Sequence, residues 1–159
     1  MSAVPKGTPD VAEVDAILRR AAERAGALRL AYAGAVTPEE AWRLHASGAA
    51  RIVDVRTRPE WEFVGRVPDV PLVEWRRYGE QQPNQRFIEE LGAVVKREEP
   101  VLFLCRSGVR SHHAADLAAR SGYRATFNIL EGFEGDLDAE DRRGTLGGWR
   151  RAGLPWVQG

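Results

Sequence analysis

Three short apolar segments, separated by longer stretches with helical periodicity, are the feature of this chain that most constrains its fold. The segments span residues 52–55, 101–104 and 125–130 and are built mostly from β-branched, aromatic and other apolar residues. Strands without alternation of polar and apolar residues are typical of a parallel sheet that is covered on both faces. The sequence therefore predicts an open α/β fold, a parallel sheet with helices on both faces.

The segment before these strands predicts a further helix. Thr8 is a candidate N-cap, and Pro9 suits the first helical position. The negative charge of Asp10 would be stabilised at the positive end of the helix dipole. Apolar residues then recur at helical spacing until residues 26–30. The stripe they form consists of Val11, Val14, Leu18, Ala21, Ala25 and Leu28. A dimerising seam is one interpretation, but the stripe is short and alanine-rich, so we expect it to pack on the chain's own domain, away from the 105–111 loop.

We accordingly expect two parts, an N-terminal helical extension over residues 1–34 and a domain over residues 35–159. Within the domain, Thr37 and Glu40 have the spacing of a capping box, and Gly48 would stop the helix after Ser47. A second helix is expected over residues 84–97 and a third over residues 112–120, each between two of the apolar segments.

Composition excludes several classes of function. The 159 residues suit one domain with an appendage, and 23 basic and 23 acidic residues give no formal net charge. Because no long block of like charge is present, we expect neither nucleic acid nor a membrane as a partner. The longest apolar run, residues 30–36, is too short to span a bilayer, and no secretion-signal pattern opens the chain, so we expect a cytoplasmic protein.

The single cysteine, Cys105, limits metal and redox chemistry. It allows no intrachain disulfide and no zinc site made of cysteine alone. The three histidines lack the spacing of metal ligands, and the acidic stretch 131–141 lacks the ligand order of a calcium-binding loop. We therefore expect no metal and no other cofactor.

Cys105 also begins a segment with the properties of an anion site. The segment follows an apolar strand and precedes a helix, where α/β sheets bind ligands. Backbone N–H groups that curl into a helix N-terminus attract anions, and nearby arginines would favour the thiolate of Cys105. The alternative is that Cys105 is a buried core residue. The candidate loop consists of Cys105, Arg106, Ser107, Gly108, Val109, Arg110 and Ser111.

Several motifs together resemble the rhodanese-like sulfurtransferase family over roughly residues 36–157. They are Asp54-Val55-Arg56, Glu60-Trp61, Gly65-Arg66-Val67-Pro68, the 105–111 loop, Leu130-Glu131-Gly132-Phe133 and the segment 147–156. The resemblance implies a single α/β rhodanese domain in which Cys105 accepts a sulfane sulfur as a persulfide and passes it to a nucleophilic acceptor. One segment departs from the family pattern, because Arg66 replaces the usual histidine and Asp69 the usual glycine.

Four residues are assigned supporting roles around the loop. Asp54 and Arg56 suit a buried ion pair that supports the loop, with direct substrate contact as the alternative. Glu60 and Trp61 form the acidic-aromatic pair of the resemblance. Trp61 and Trp75 are candidates for the wall of the pocket.

The favoured function is transfer of a sulfane sulfur from a small anionic donor, such as thiosulfate, to a thiol or protein acceptor. A carrier module that holds the persulfide for a partner is the alternative. A cysteine phosphatase or arsenate reductase is disfavoured, because that class needs arginine at the position of Ser111, and here arginine comes one residue early at Arg110. A catalytic pair of Cys105 with His112 or His113 is also disfavoured, because both histidines are expected on the helix surface or in its first turn. The oligomeric state and the physiological donor stay open.

Overall fold

The computed structural model of the protein describes residues 7–159, so residues 1–6 of the predicted extension lie outside the described residues. The helices are α1 (Val11–Leu28), α2 (Pro38–Ala46), α3 (Phe87–Gly92) and α4 (Val109–Arg120). The strands are β1 (Gly34–Val36), β2 (Arg51–Asp54), β3 (Val101–Leu104) and β4 (Thr126–Ile129). A short π-helical turn, Glu60–Val64, follows β2. No helix in the described part of the chain is long and apolar enough to cross a membrane.

The strands form one parallel sheet in the order β1-β4-β3-β2. Strand β3 lies inside the sheet, where Leu104 pairs with Asp54 of β2 and Phe103 pairs with Asn128 of β4. Because all strands run in one direction, their carboxyl ends meet at one edge of the sheet. The loop that follows β3 therefore lies between the ends of β2 and β4.

Both faces of the sheet are covered, which confirms the predicted α/β fold class. Leu102 and Leu104 of β3 belong to a core that includes residues of α1 and α2. Phe103, which points to the opposite face, belongs to a core that includes residues of α3 and α4. The alternate side chains of one apolar strand thus pack in two separate cores, which explains why β3 has no polar residue.

Helix α1 packs on the protein's own domain, as expected, and it does so with the middle of the predicted stripe, since Ala21 is buried and Val14 and Leu18 pack against the same core. Ile17 and Ala21 are buried together with Val36 of β1. Val11 and Leu28, the two ends of the stripe, are 77% and 57% exposed. Ile17 was absent from the predicted stripe, so the prediction missed one buried residue and extended the buried face too far at both ends.

The C-terminal end of α1 also comes closer to the 105–111 loop than expected. Leu28 lines a cavity of about 320 Å³ together with Gly108 and Val109, behind the loop. The division of the chain between residues 34 and 35 stays a prediction. Residues on both sides of it, such as Ala21 and Val36, share one core.

The start of α1 is one of the boundaries that the sequence placed wrongly. Asp10, and not Thr8, caps this helix, because its Oδ1 accepts the Glu13 N–H at 2.8 Å. Thr8 and Pro9 lie before the helix, which begins at Val11. Strand β1 was not predicted, because Gly34–Val36 is too short to carry a strand pattern.

Helix α3 is much shorter than the predicted 84–97. The Asn84 side chain accepts the Arg86 N–H in a local turn, so the helix begins late, at Phe87. The helix ends early, at Gly92. Helix α4 begins at Val109 rather than at His112. The reason is that Gly108, with φ 107°, is its N-cap residue, so the last part of the predicted loop is the first helical turn.

The predicted capping box of α2 is confirmed. The Thr37 Oγ1 accepts the Glu40 N–H at 3.2 Å, and the Glu40 carboxylate accepts the Thr37 N–H at 2.9 Å. Glu40 also accepts hydrogen bonds from Arg20 and Arg24 of α1. The cap of α2 thereby fastens α1 to the domain.

We expect Gly34→Ala to lower the free energy of unfolding, because an added Cβ would lie 2.6 Å from the carbonyl oxygen of Ala21 and force α1 away from β1. Such overpacking costs about 1–3 kcal/mol. Gly26→Ala is the matched control, since a Cβ there meets nothing within 4 Å. It should raise stability by about 0.5–1 kcal/mol through helix propensity. Denaturant unfolding measures both, and an unchanged stability for Gly34→Ala would contradict the close packing of α1.

Candidate active site

Cys105 follows β3 directly and lies at the carboxyl edge of the sheet. Its side chain is 1% exposed, yet it lines an open cleft. The Sγ atom accepts the Gly108 N–H at 3.1 Å and lies 3.1 Å from the Ser111 Oγ. The turn requires glycine at position 108, because a φ of 107° is rarely adopted by other residues. The backbone therefore directs an N–H group at the sulfur, next to the N-terminus of α4.

The turn after β4 holds the loop from outside. Phe133 N–H donates to the Cys105 carbonyl at 2.8 Å, and Glu134 N–H donates to the Arg106 carbonyl at 3.0 Å. Gly132 allows this approach, since a Cβ on it would lie 2.4 Å from the backbone carbon of Arg106. The path of the loop is thus fixed by backbone contacts with this turn.

The cleft at Cys105 has a volume of about 680 Å³, within the range of roughly 300–1,000 Å³ that is typical of ligand sites. Among the described residues, Arg76 and Arg106 line it without an ion-pair partner. A second cleft, of about 730 Å³, lies around Gly147 and Trp156 and does not include Cys105 among its lining residues. The lining of the first cleft is Thr57, Pro59, Glu60, Val64, Arg76, Tyr78, Cys105, Arg106, Ser107, Val109, Arg110 and Glu134.

Arg110 and Glu60 form a bidentate ion pair on the wall of this cleft. Both outer guanidinium nitrogens donate to the carboxylate, each at 2.8 Å, and Thr57 donates to the same carboxylate from its N–H and Oγ1. Burial acts to raise the pKa of Glu60, but the hydrogen bonds from Arg110 and Thr57 outweigh it and lower the pKa to about 2. The pair therefore stays ionised at neutral pH, and its stabilising effect is lost only as the pH falls toward 2.

Asp54 and Arg56 form a fully buried ion pair behind the loop. The Arg56 Nη2 donates to Asp54 at 2.7 Å and to the Gly65 carbonyl at 2.7 Å. Its guanidinium lies 4.4 Å from the centre of the Phe133 ring. Neither Asp54 nor Arg56 lines the cleft. They connect the end of β2 to the turn that holds the loop.

The predicted aromatic wall is not formed by Trp61 or Trp75, neither of which lines the cleft. Trp61 lies under the Arg66 guanidinium at 4.3 Å, and Arg66 Nη1 donates to the Gly159 carbonyl. The arginine that replaces the family's usual histidine thus contacts the C-terminal tail. Trp75 instead packs against Phe87.

The histidines are not brought to the sulfur. His112 Nδ1 is hydrogen-bonded to the Tyr32 hydroxyl at 2.6 Å, and the His113 ring stacks on Trp75. Within residues 7–159, no group of three or more histidine, cysteine, aspartate or glutamate residues could hold a metal ion.

Sequence reasoning missed several residues of the site. Arg76, Tyr78 and Glu134 line the cleft from irregular segments that carry no periodic pattern. Asn128 of β4 accepts a hydrogen bond from Ser111 at 2.6 Å. An amide inside an otherwise buried strand was the available signal for Asn128.

Residues 37–139 match the family model of the rhodanese-like domain. The uncharacterized protein RP600 of Rickettsia prowazekii is 37% identical over 109 residues, which cover 67% of this chain and 82% of that protein. The thiosulfate sulfurtransferase GlpE of Actinobacillus succinogenes is 28% identical over 120 residues, covering 76% of this chain and 86% of GlpE.

Among solved structures, Rv0390 from M. tuberculosis is similar with a TM-score of 0.72 and 47% identity, over 81% of this chain and all of that one. The Rhodanese-like domain of the Alr3790 protein from Anabaena has a TM-score of 0.56 at 13% identity, over 78% of each chain, and supports the fold alone. Because the family model matches residues 37–139, which are more than half of the chain, this chain belongs to the rhodanese-like domain family.

Proposed function

We propose that the protein is a sulfurtransferase that carries sulfane sulfur as a persulfide on Cys105. One observation carries the proposal. The Sγ of Cys105 lies at the base of an open cleft and accepts the Gly108 N–H, at the N-terminus of the twelve-residue helix α4. Such an arrangement stabilises negative charge on sulfur. The thiosulfate sulfurtransferase named among the relatives supports this choice of chemistry.

The first half-reaction balances without an added oxidant. The Cys105 thiolate attacks the outer sulfur of thiosulfate, so that a bond forms between Sγ and that sulfur. The sulfur–sulfur bond of thiosulfate breaks, and its electron pair leaves with sulfite. In the second half-reaction an acceptor, such as cyanide or a thiolate, attacks the terminal sulfur, and Cys105 leaves as the thiolate.

The charges around the cleft suit an anionic donor. Arg76 and Arg106 line the cleft without an ion-pair partner among the described residues, and guanidinium groups bind oxyanions through paired N–H donors. Arg110 is committed to Glu60, and we propose that this pair shapes the wall and keeps the carboxylate from facing the donor. Ser107 and Val109 complete the rim next to the sulfur.

The size of the cleft favours an acceptor larger than cyanide. A volume of about 680 Å³ far exceeds the space that one thiosulfate ion fills. We propose that the acceptor is a thiol, either free or on a partner protein. The same cleft would also suit a carrier that holds the persulfide for a partner protein. We also propose a cytoplasmic location, where a lone thiol stays reduced, and a reaction that uses no cofactor.

Phosphate-ester chemistry is the less suitable use of this loop. Ser111 holds the position where a cysteine phosphatase needs arginine, and its hydroxyl lies 3.1 Å from the sulfur. Arg110 points to Glu60 instead of encircling the loop. A tetrahedral phosphate would therefore lack its principal cationic ligand.

We expect the wild-type protein to form thiocyanate from thiosulfate and cyanide, and both Cys105→Ser and Cys105→Ala to form none, because the persulfide cannot be made. The assay follows thiocyanate by colour. Arg142→Ala, which changes an exposed arginine outside the lining of the cleft, is the control and should keep wild-type activity. Activity that persists in Cys105→Ala would overturn the proposed function.

We expect Arg110→Ala to raise the KM for thiosulfate roughly tenfold, the ratio that about 1.4 kcal/mol produces. The reason is that an unpaired Glu60 carboxylate would then face the anionic donor. Adding Glu60→Gln should restore much of the loss. Arg120→Ala, which breaks an exposed ion pair with Asp116 on the same helix, is the control. A KM that the second substitution leaves unimproved would contradict this role of the pair.

We expect Gly132→Ala to reduce sulfur transfer at least about tenfold, since its Cβ would collide with the backbone of the loop at Arg106. Gly144→Ala is a matched control, because Gly144 has a comparable positive φ, 87° against 65°, but an added Cβ there meets nothing within 4 Å. Both variants bear the backbone strain of about 1 kcal/mol. Equal activity in the two variants would show that the loop does not depend on the turn at Gly132.

A further inference from the structure

Four hydrogen bonds form a closed ring that begins and ends on the Cys105 sulfur. Gly108 N–H donates to Sγ at 3.1 Å, and the Gly108 carbonyl accepts from Asn128 Nδ2 at 3.1 Å. The Asn128 Oδ1 accepts from the Ser111 hydroxyl at 2.6 Å, and the Ser111 Oγ returns to Sγ at 3.1 Å. Cys105 and Ser111 are at most 1% exposed and Asn128 is 5% exposed, so the three side chains of the ring are buried. The ring borders the cleft at the sulfur and the smaller cavity beside the end of α1 at Gly108 and Asn128.

We infer that Asn128 is a positioning residue that turns the Ser111 proton away from Cys105 and so favours the protonated thiol before a donor binds. A serine hydroxyl has one proton, and an amide oxygen can only accept. The orientation of the Asn128 amide is fixed, because a flipped amide would place its oxygen against the Gly108 carbonyl. The Ser111 proton therefore points to Asn128, and Ser111 presents a lone pair to the sulfur.

A protonated Cys105 completes this ring, since its S–H can donate to the Ser111 Oγ. A thiolate cannot complete it. Either the Ser111 lone pair faces the anion, or the Ser111 proton turns to the sulfur and leaves the Asn128 Oδ1 without a donor in a buried site. Each choice loses one buried hydrogen bond, so the ring opposes ionisation while the Gly108 N–H favours it.

As a consequence, Cys105 is kept in its less reactive thiol form until a donor binds. The thiolate is the form of cysteine that oxidants attack, so an arrangement that favours the thiol protects a lone cysteine in an open cleft. A persulfide also lacks a proton on Sγ, so beside it Ser111 faces the same choice between Asn128 and the sulfur as beside the thiolate.

Neutral substitutions at Ser111 and Asn128 change no formal charge near the sulfur. The titratable group beside Asn128 is the hydroxyl of Tyr32, which lies close to the Asn128 amide and is hydrogen-bonded to His112 Nδ1. Asp54 lies at the end of the neighbouring strand β2, and His112 follows Ser111 on α4. The charged and titratable groups in the cleft with Cys105 are Glu60, Arg76, Tyr78, Arg106, Arg110 and Glu134. A shift caused by neutral changes at Ser111 or Asn128 therefore reports the hydrogen bonds.

The experiment is the pH dependence of Cys105 alkylation by iodoacetamide, in the full-length protein with its single cysteine. Asn128→Leu should lower the pH midpoint by roughly half to one pH unit, the shift that one net hydrogen bond supplies. Ser111→Ala should lower it as well, whereas Ser111→Thr, which keeps the hydroxyl, should leave it near the wild-type value. Adding Asn128→Leu to Ser111→Ala should give no further shift, because the effect of Asn128 passes through Ser111.

Thr126→Val is the matched control, since Thr126 is a buried hydroxyl on the same strand that donates to the Ala115 carbonyl and not to the ring. It should leave the midpoint unchanged. A midpoint that rises in Ser111→Ala would mean that Ser111 donates to the sulfur, and would overturn the inference even if Asn128→Leu does not fold. A shift that persists when Asn128→Leu is added to Ser111→Ala would also overturn it, by assigning the effect to the Gly108 carbonyl. Alkylation does not require sulfur transfer, so these outcomes are independent of the proposed function.

Discussion

The backbone hydrogen bonds between the turn after β4 and the loop after β3 are the interaction on which the site depends. They donate from Phe133 and Glu134 to the carbonyls of Cys105 and Arg106. With these carbonyls held by the turn, the loop places the Gly108 N–H 3.1 Å from the sulfur. The parallel pairing of β3 with β4 brings the two segments together, so the chemistry of one cysteine rests on the register of the sheet.

Two ion pairs stabilise this arrangement at different depths. Asp54 and Arg56 are fully buried, and breaking such a pair is costly because the remaining charge stays without a partner. Glu60 and Arg110 lie on the cleft wall, partly exposed, and neutralise each other beside the sulfur. Arg76 and Arg106, which have no ion-pair partner among the described residues, are more exposed than Arg110, so an incoming anion can reach them. The buried charges thus support the loop, whereas the exposed charges of the cleft are available to bind the donor.

The sequence predicted the fold class and the loop because both depend on local patterns. Continuous apolar strands indicate a two-sided sheet, and a cysteine between a strand and a helix indicates an anion site. Contacts that depend on strand register and on distant turns were beyond such patterns. The partner of Arg110 is fifty residues earlier, at Glu60, and Asn128 reaches Ser111 only because β4 lies beside β3. The extent of the buried face of α1 was misjudged, because only the middle of the apolar stripe meets the core while its ends, Val11 and Leu28, are exposed.

The central claim is that Cys105 receives one sulfur atom and gives it up to an acceptor. The most direct measurement is the intact mass of the full-length protein after incubation with thiosulfate and removal of small molecules, followed by peptide mapping. The account predicts a gain of one sulfur atom on the peptide that contains Cys105, loss of that gain after cyanide is added, and no gain in Cys105→Ser. An unchanged mass in the wild-type protein, or a gain that maps to a different peptide, would contradict it.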